Sequence, residues 1–350
     1  MIVSLRVACA SVVLAAPALH AQAAPTLLQR LTVLDAKRVE SVERGEAVAV
    51  TLDAAEKTEI ATLGVVRLEV PRAFYIDRAR QLTGFLASGT KSLAGSFGEP
   101  ARLEDVATLT LDPADAKMLE RCQPLACDLK LPSSEMERFR TELARSKGVA
   151  PRADSLMREW LVAYVNAYRS DSTEETVVYD DTKHPVRSSD AFRALLGEPL
   201  PAGLDAEPIA AMLARPRSAR PPELSSSISW DLDRMPGLKP TLEVLERSIY
   251  SSPARPDENW MTSKLLYASH YFESQIDFLV VADAPSSPGK SAVYLVILRR
   301  STFDDLPSGG PFNIRGKAVK KLREALRTTL ANTRSEVAKA YAESTAAHAP

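Results

Sequence analysis

The most suggestive polar cluster in the sequence is the run Lys264-Leu-Leu-Tyr-Ala-Ser-His-Tyr-Phe272. On a strand, alternate side chains share a face. Lys264, Leu266, Ala268, His270 and Phe272 are therefore expected on one side, and Leu265, Tyr267, Ser269 and Tyr271 on the other. His270 is a candidate general base if a carboxylate from another strand orients its ring, with Asp277 and Glu246 as the candidates. The plainer expectation is a histidine hydrogen-bonded within a sheet or at a cavity rim. Tyr267 and Tyr271 suit a lining of apolar rings with hydroxyls aimed at a ligand or water. With Trp260 at the start of the same strand and Arg299 further on, the expected ligand-binding set is Trp260, Lys264, Tyr267, His270, Tyr271 and Arg299.

Arg299-Arg300, together with Lys317, Lys320, Lys321 and Arg323, makes a local basic patch. It would suit an anionic head group or a membrane surface, whereas its plain form is a solvated helix face with Glu324 and Glu336 as counterions. Two serine motifs have enzymatic counterparts. Ser88-Gly-Thr-Lys91 matches Ser-x-x-Lys without the companion Ser-Asp-Asn and Lys-Thr-Gly motifs. Ala94-Gly-Ser96-Phe-Gly98 is an imperfect nucleophile elbow, with a glycine loop as the plainer alternative. His20, His184, His270 and His348 are the four histidines. No His-Glu-x-x-His, Cys-x-x-Cys or phosphate-loop motif occurs, so no metal and no cofactor are expected.

Lys plus Arg number 44 against 45 Asp plus Glu, a balance that leaves no excess charge for nucleic acid. At the N-terminus, Arg6, the apolar run Val7 to Leu19 and Ala21-Gln22-Ala23 have the three parts of a secretory signal peptide cleaved after Ala23. Pro17 and His20 interrupt the run before it reaches the roughly 20 residues of a membrane anchor. The expected location is the periplasm. Cleavage removes Cys9 and leaves Cys122 and Cys127, close enough for a structural disulfide worth about 2 kcal/mol. A metal site would need further ligands, and a redox pair normally has two intervening residues rather than four.

These residues need elements to hold them. Strands are expected over Glu46 to Leu52 and Ile60 to Val70, and a helix after Pro71. Gly84, Gly89, Gly95 and Gly98 mark a loop. Asp112-Pro113 opens a short helix, Ser134 to Glu137 forms a capping box, and an amphipathic helix runs from Pro151 to Tyr168. A proline-rich stretch from Gly197 to Glu223, with a short helix at Asp205 to Arg215, separates this part from the last third. There, strands are expected at Ser227–Asp233, Leu242–Tyr250, Trp260–Phe272, Gln275–Asp283 and Ser291–Phe303. A long helix from Ile314 to Tyr341 follows. The fold class is α+β, an antiparallel sheet packed on a long C-terminal helix with an additional, largely helical N-terminal part. The expected division is 1–23 signal peptide, 24–222 mixed and mainly helical with early strands at 46–70, 223–341 sheet plus helix, and 342–350 a frayed tail.

That element order over residues 225–341 resembles the helix-grip fold of the START and polyketide-cyclase-like superfamily, which implies a sheet curled around the helix and an apolar cavity. Leu63-Gly-Val-Val-Arg-Leu, Arg121-Cys-Gln-Pro, Leu129-Lys-Leu-Pro132, Gly237-Leu-Lys-Pro240 and Tyr267-Ala-Ser-His-Tyr-Phe272 also resemble a group of secreted bacterial proteins, which implies a compartment rather than an activity. The expected function is non-catalytic binding of a lipid-like or other apolar small molecule. The alternatives are a secreted hydrolase using His270 or Ser96, and a structural or partner-binding protein in peripheral contact with envelope components. No nucleic-acid partner and no transmembrane segment are expected.

Overall fold

Side-chain caps set the first elements. Thr26 accepts from the Gln29 N–H at the start of α1 (Leu27–Arg30), and Asp35 accepts from the Arg38 N–H at the start of α2 (Ala36–Glu43). The Val-rich runs β1 (Val48–Leu52) and β2 (Glu59–Leu68) follow, then α3 (Arg72–Gln81) and β3 (Lys91–Phe97). Asp112 caps α4 (Pro113–Leu119), whose first position Pro113 fills without losing a hydrogen bond. After it come α5 (Ser133–Ala144), α6 (Val149–Arg169) and the short pair β4 (Val178–Tyr179) and β5 (Val186–Arg187). Two more helices, α7 (Ser188–Gly197) and α8 (Glu207–Leu213), lead to a five-strand meander. Its strands are β6 (Ser225–Asp233), β7 (Thr241–Ser251), β8 (Glu258–Ala268), β9 (Phe272–Ala284) and β10 (Ala292–Phe303). The last described element is α9 (Ile314–Ala347), where Asn313 accepts from the Gly316 N–H at 2.8 Å. This computed structural model describes residues 26–81, 86, 91–170, 177–234, 238–251, 253, 255–306 and 313–347.

Eight strands form one antiparallel sheet in the order β1-β2-β10-β9-β8-β7-β6-β3. One face is covered by helices throughout. Leu156, Met157 and Leu161 of α6 pack with Trp230, Val244 and Tyr267, while Phe192 and Leu195 of α7 and Ile209 of α8 pack with Phe278, Val280 and Val296. The other face meets α3 and α9. Leu326 and Leu330 of α9 lie over Val66, Leu295 and Ile297, and Tyr75 and Ile76 of α3 lie over Met261, Leu279 and Val281. Gly64 lets α9 approach β2 closely, because a Cβ there would stand 2.6 Å from Leu330 Cδ1.

The α+β class and the sheet-plus-helix arrangement are as expected. Several local expectations are not. The glycine loop around Gly95 and Ser96 contains an edge strand, β3, paired with β6, so Ser96 lies within a strand and not on an elbow. The expected capping box at Ser134–Glu137 does not form. The N-cap of α5 is Pro132, and Ser133 instead bonds Asp180 through its N–H (2.9 Å) and hydroxyl (2.7 Å). The strand expected over Trp260–Phe272 breaks at Ser269–Tyr271, where Tyr271 takes a positive φ of 64° and the chain turns into β9. Strands from 24–222 and from 223–341 share one sheet, and α9 continues past Tyr341 to Ala347. Residues 1–23, where a signal peptide is expected, Ser88 to Thr90 of the Ser-x-x-Lys motif, and His348 lie outside the described residues.

Candidate functional site

His270 lies in the turn between β8 and β9, with both ring nitrogens engaged. Nδ1 is 2.9 Å from the Asp128 carbonyl oxygen and Nε2 is 3.1 Å from Asp115 Oδ2. The Asp128 carbonyl can only accept, so Nδ1 donates to it, and Nε2 is occupied by the Asp115 carboxyl, so neither ring nitrogen faces an open position. The orienting carboxylate comes from α4, not from Asp277 or Glu246. Asp128 adjoins the disulfide between Cys122 and Cys127, whose Cα atoms are 4.7 Å apart. That covalent loop steadies the carbonyl facing His270. Tyr271 is fixed as well, its hydroxyl accepting from the Lys239 N–H at 2.8 Å. The turn is built to hold shape.

Lys264 belongs to a second cluster, on the helix-covered face. It stands directly across from Glu246, which is fully buried. Glu246 accepts from Tyr168 Oη (2.7 Å), Arg220 Nη1 (2.9 Å) and Arg217 Nε (3.2 Å). Burial opposes ionisation of this carboxyl, but Arg220, Lys264 and Tyr168 outweigh it and hold its pKa below the ordinary value. The Lys264 amine lies 3.3 Å from Tyr168 Oη and 4.3 Å from the centre of the Phe192 ring. Burial pulls its pKa down to about 8, with Glu246 resisting. The cluster ties α6, α7 and the segment around Arg217–Arg220 to the sheet.

The third arrangement crosses the α9 face. In the strand register, Thr62 stands opposite Arg299, Arg299 opposite Asp277, Asp277 opposite Ser263, Ser263 opposite Arg247, and Arg247 opposite Ser227. Residues directly opposite in an antiparallel ladder share a face, so these six form one polar row across six strands. The row one step along is apolar over four strands: Ile297, Leu279, Met261 and Ile249. On the other side lie Leu265 and Leu245. Arg299 donates to Asp277 through Nε (2.8 Å) and Nη2 (2.6 Å). Arg247 donates to the Ser229 hydroxyl and, at 3.4 Å, to Asp231. Burial opposes the charge of Arg299, but Asp277, with Glu243 and Asp233 behind it, more than offsets that and raises the guanidinium pKa.

Arg299 is only partly buried, unlike Thr62, Asp277, Ser263 and Arg247 beside it. It stands on a central strand beside buried Asp277, yet 31% of its side chain is reached by water. α9 packs closest over β1 and β2, and its Ala318, Val319 and Leu322 also reach the cluster of Ile60, Leu245, Leu265 and Phe272. The face under the helix is therefore mixed, not uniformly apolar as the helix-grip resemblance implies.

The six expected ligand-binding residues do not converge. Trp260, Lys264 and Tyr267 point into the helix-covered face, His270 and Tyr271 hold the turn, and Arg299 alone faces α9. Tyr267 moved because Val244 pairs with it while Leu245 pairs with Leu265, which makes Leu266 the extra residue of a β-bulge that reverses the alternation. Its hydroxyl is buried with no hydrogen-bond partner among the described residues, and its ring meets Trp160 edge-on at 4.8 Å. Arg300 points opposite to Arg299, pairing with Glu59 at 2.6 Å, so the two arginines make no shared patch. Thr62, Arg247, Ser263 and Gln275 were not foreseen. Neither was Lys130, which is buried between Asp304 and Asp181 with its amine 4.4 Å from the Tyr179 ring centre. Among the described residues no group of His, Cys, Asp and Glu is placed to hold a metal ion, and no helix is long and apolar enough to cross a membrane.

No protein-family model and no curated protein matches the chain. Among solved structures, it is similar to a START superfamily protein from Mycobacterium smegmatis, with 20% identity, a TM-score of 0.19, and coverage of 35% of this chain and 72% of that one. It is also similar to the di-domain ARO/CYC StfQ from the steffimycin biosynthetic pathway, with 16% identity, a TM-score of 0.24, and coverage of 58% of this chain and 63% of that one. At these scores neither likeness bears on function.

Proposed function

We propose that the protein binds an apolar small molecule without transforming it, at Arg299 on the sheet face that carries α9. The observation that carries this is the accessible Arg299 on a central strand, set in a polar row between apolar side chains. Ligand pockets are mainly apolar with a few placed polar groups, and a fold gains nothing from leaving a guanidinium half-wet in the middle of a sheet. Catalysis has less support. Both His270 nitrogens are engaged, and Ser96 is an exposed residue of an edge strand. An envelope-interaction role would call for a contiguous exposed apolar patch, and among the described residues the exposed large apolar side chains are Leu103, Leu125, Leu238 and Ile314.

The proposed location is the periplasm. Arg6, the run Val7 to Leu19 and Ala21-Gln22-Ala23 support it, as does the Cys122–Cys127 disulfide, which suits an oxidising compartment. Native mass spectrometry with organic extraction, on protein purified from a periplasmic fraction, tests both parts. The expected result is the mass of a chain cleaved after Ala23 carrying one disulfide and a stoichiometric apolar adduct. A uniformly ligand-free mass after gentle purification would contradict the binding role.

A further inference from the structure

We infer that the molecule held beside α9 presents an uncharged oxygen acceptor, a carbonyl or hydroxyl, to Arg299 and Gln275. The inference rests on the binding role proposed above and specifies its polar end. Arg299 uses Nε and Nη2 for Asp277, and its Nη1 has no acceptor among the described residues. Gln275 stands diagonally across the β9–β10 ladder from Arg299 and faces the same side, because it pairs with Ser301 two positions on. Its Oε1 accepts from the Ser301 hydroxyl at 2.8 Å, so its amide nitrogen is left to donate. Next to Arg299, the Asp277 carboxylate is engaged by Arg299 itself and Gln275 Oε1 by the Ser301 hydroxyl. What remains at the Arg299 end is two donors side by side, with the Thr62 hydroxyl opposite, and a bound molecule with an acceptor satisfies them.

The charge of that acceptor follows from the surroundings. Asp277 already neutralises Arg299 through two hydrogen bonds, and Glu243 and Asp233 add negative potential at the guanidinium. A carboxylate or phosphate would meet a neutralised arginine within an acidic field and would lose its hydration on entry. An ammonium would meet the two donors. A neutral oxygen accepts both hydrogen bonds without bringing charge into the site.

Three probes with the same ten-carbon chain separate the cases: decan-2-one, decanoate and decylamine, titrated at pH 7 into the purified full chain by calorimetry. The expected order places the ketone at least tenfold tighter than either charged probe. Decanoate or decylamine binding as tightly as the ketone would overturn the inference and leave the binding role standing. No binding by any of the three would overturn the binding role and the inference with it. The variant Gln275→Leu removes one donor and is expected to weaken the ketone roughly threefold to tenfold. Unchanged ketone affinity in that variant would overturn the assignment of the donor pair.

Discussion

Glu246 and Lys264 stand opposite each other on one face of the sheet, and one residue further along each strand Arg247 and Ser263 do the same on the other. The first pair is sealed. Glu246 has Tyr168, Arg217 and Arg220 around it, and the Lys264 amine is packed between Tyr168 and Phe192. The second pair belongs to a row that continues to Arg299, where water enters and a donor is left over. Both faces carry desolvated charge, which by itself argues weakly for stability and weakly for function. What separates them is water: Glu246 and Lys264 are shut away from it, whereas Arg299 is reached by it. A fully satisfied network closes on itself and holds elements together; a row with an unused, wetted donor is available to something else.

That contrast breaks most readily at Glu246. Glu246→Leu leaves Arg217, Arg220 and Lys264 without their buried counterion and is expected to lower unfolding free energy by about 3–5 kcal/mol. Urea denaturation measures it, and a loss below about 1 kcal/mol would show that the sealed network is dispensable. Lys264 sharpens the point through pH. Burial lowers its pKa from 10.5 to about 8 in the folded protein, so below pH 8 both states hold the proton and the penalty for the buried charge is fully present. Between pH 8 and 10.5 the unfolded chain holds the proton that the folded chain has released, and stability rises with pH. Wild type should therefore gain on Lys264→Met across that window, and a pH-independent difference between the two would count against this account of the amine.

Much of the architecture is legible in the residues alone, because β6 to β10 alternate or run apolar between turn signals and α9 repeats near 3.6. β3 is hidden because Gly95 and Gly98 read as loop, yet Gly95 is needed there: a Cβ would stand 2.6 Å from Trp230 Nε1. The site is less legible for a different reason. Each strand contributes one residue to the polar row, such as Asp277 between Ile276 and Phe278, and along a single strand this looks like an ordinary solvent-facing position. Only the register aligns Thr62, Arg299, Asp277, Ser263 and Arg247, and register is set by pairing between strands. His270 misleads in the same way, since its partner Asp115 is 155 residues distant in the chain. The bulge at Leu266 has no mark in composition, and it alone turns Tyr267 away from the side that alternation assigns it.

The most direct test of the contrast is the double variant Arg299→Met with Asp277→Leu, compared with wild type in denaturant stability and in ligand retained on purification. If the row exists for binding, replacing the ion pair with apolar groups of similar size leaves stability within about 1 kcal/mol of wild type, or raises it, and the bound molecule is lost. A loss of about 3 kcal/mol or more with the ligand retained would make the row structural, like the Glu246 network behind it, and would contradict the assignment of this face as the binding site.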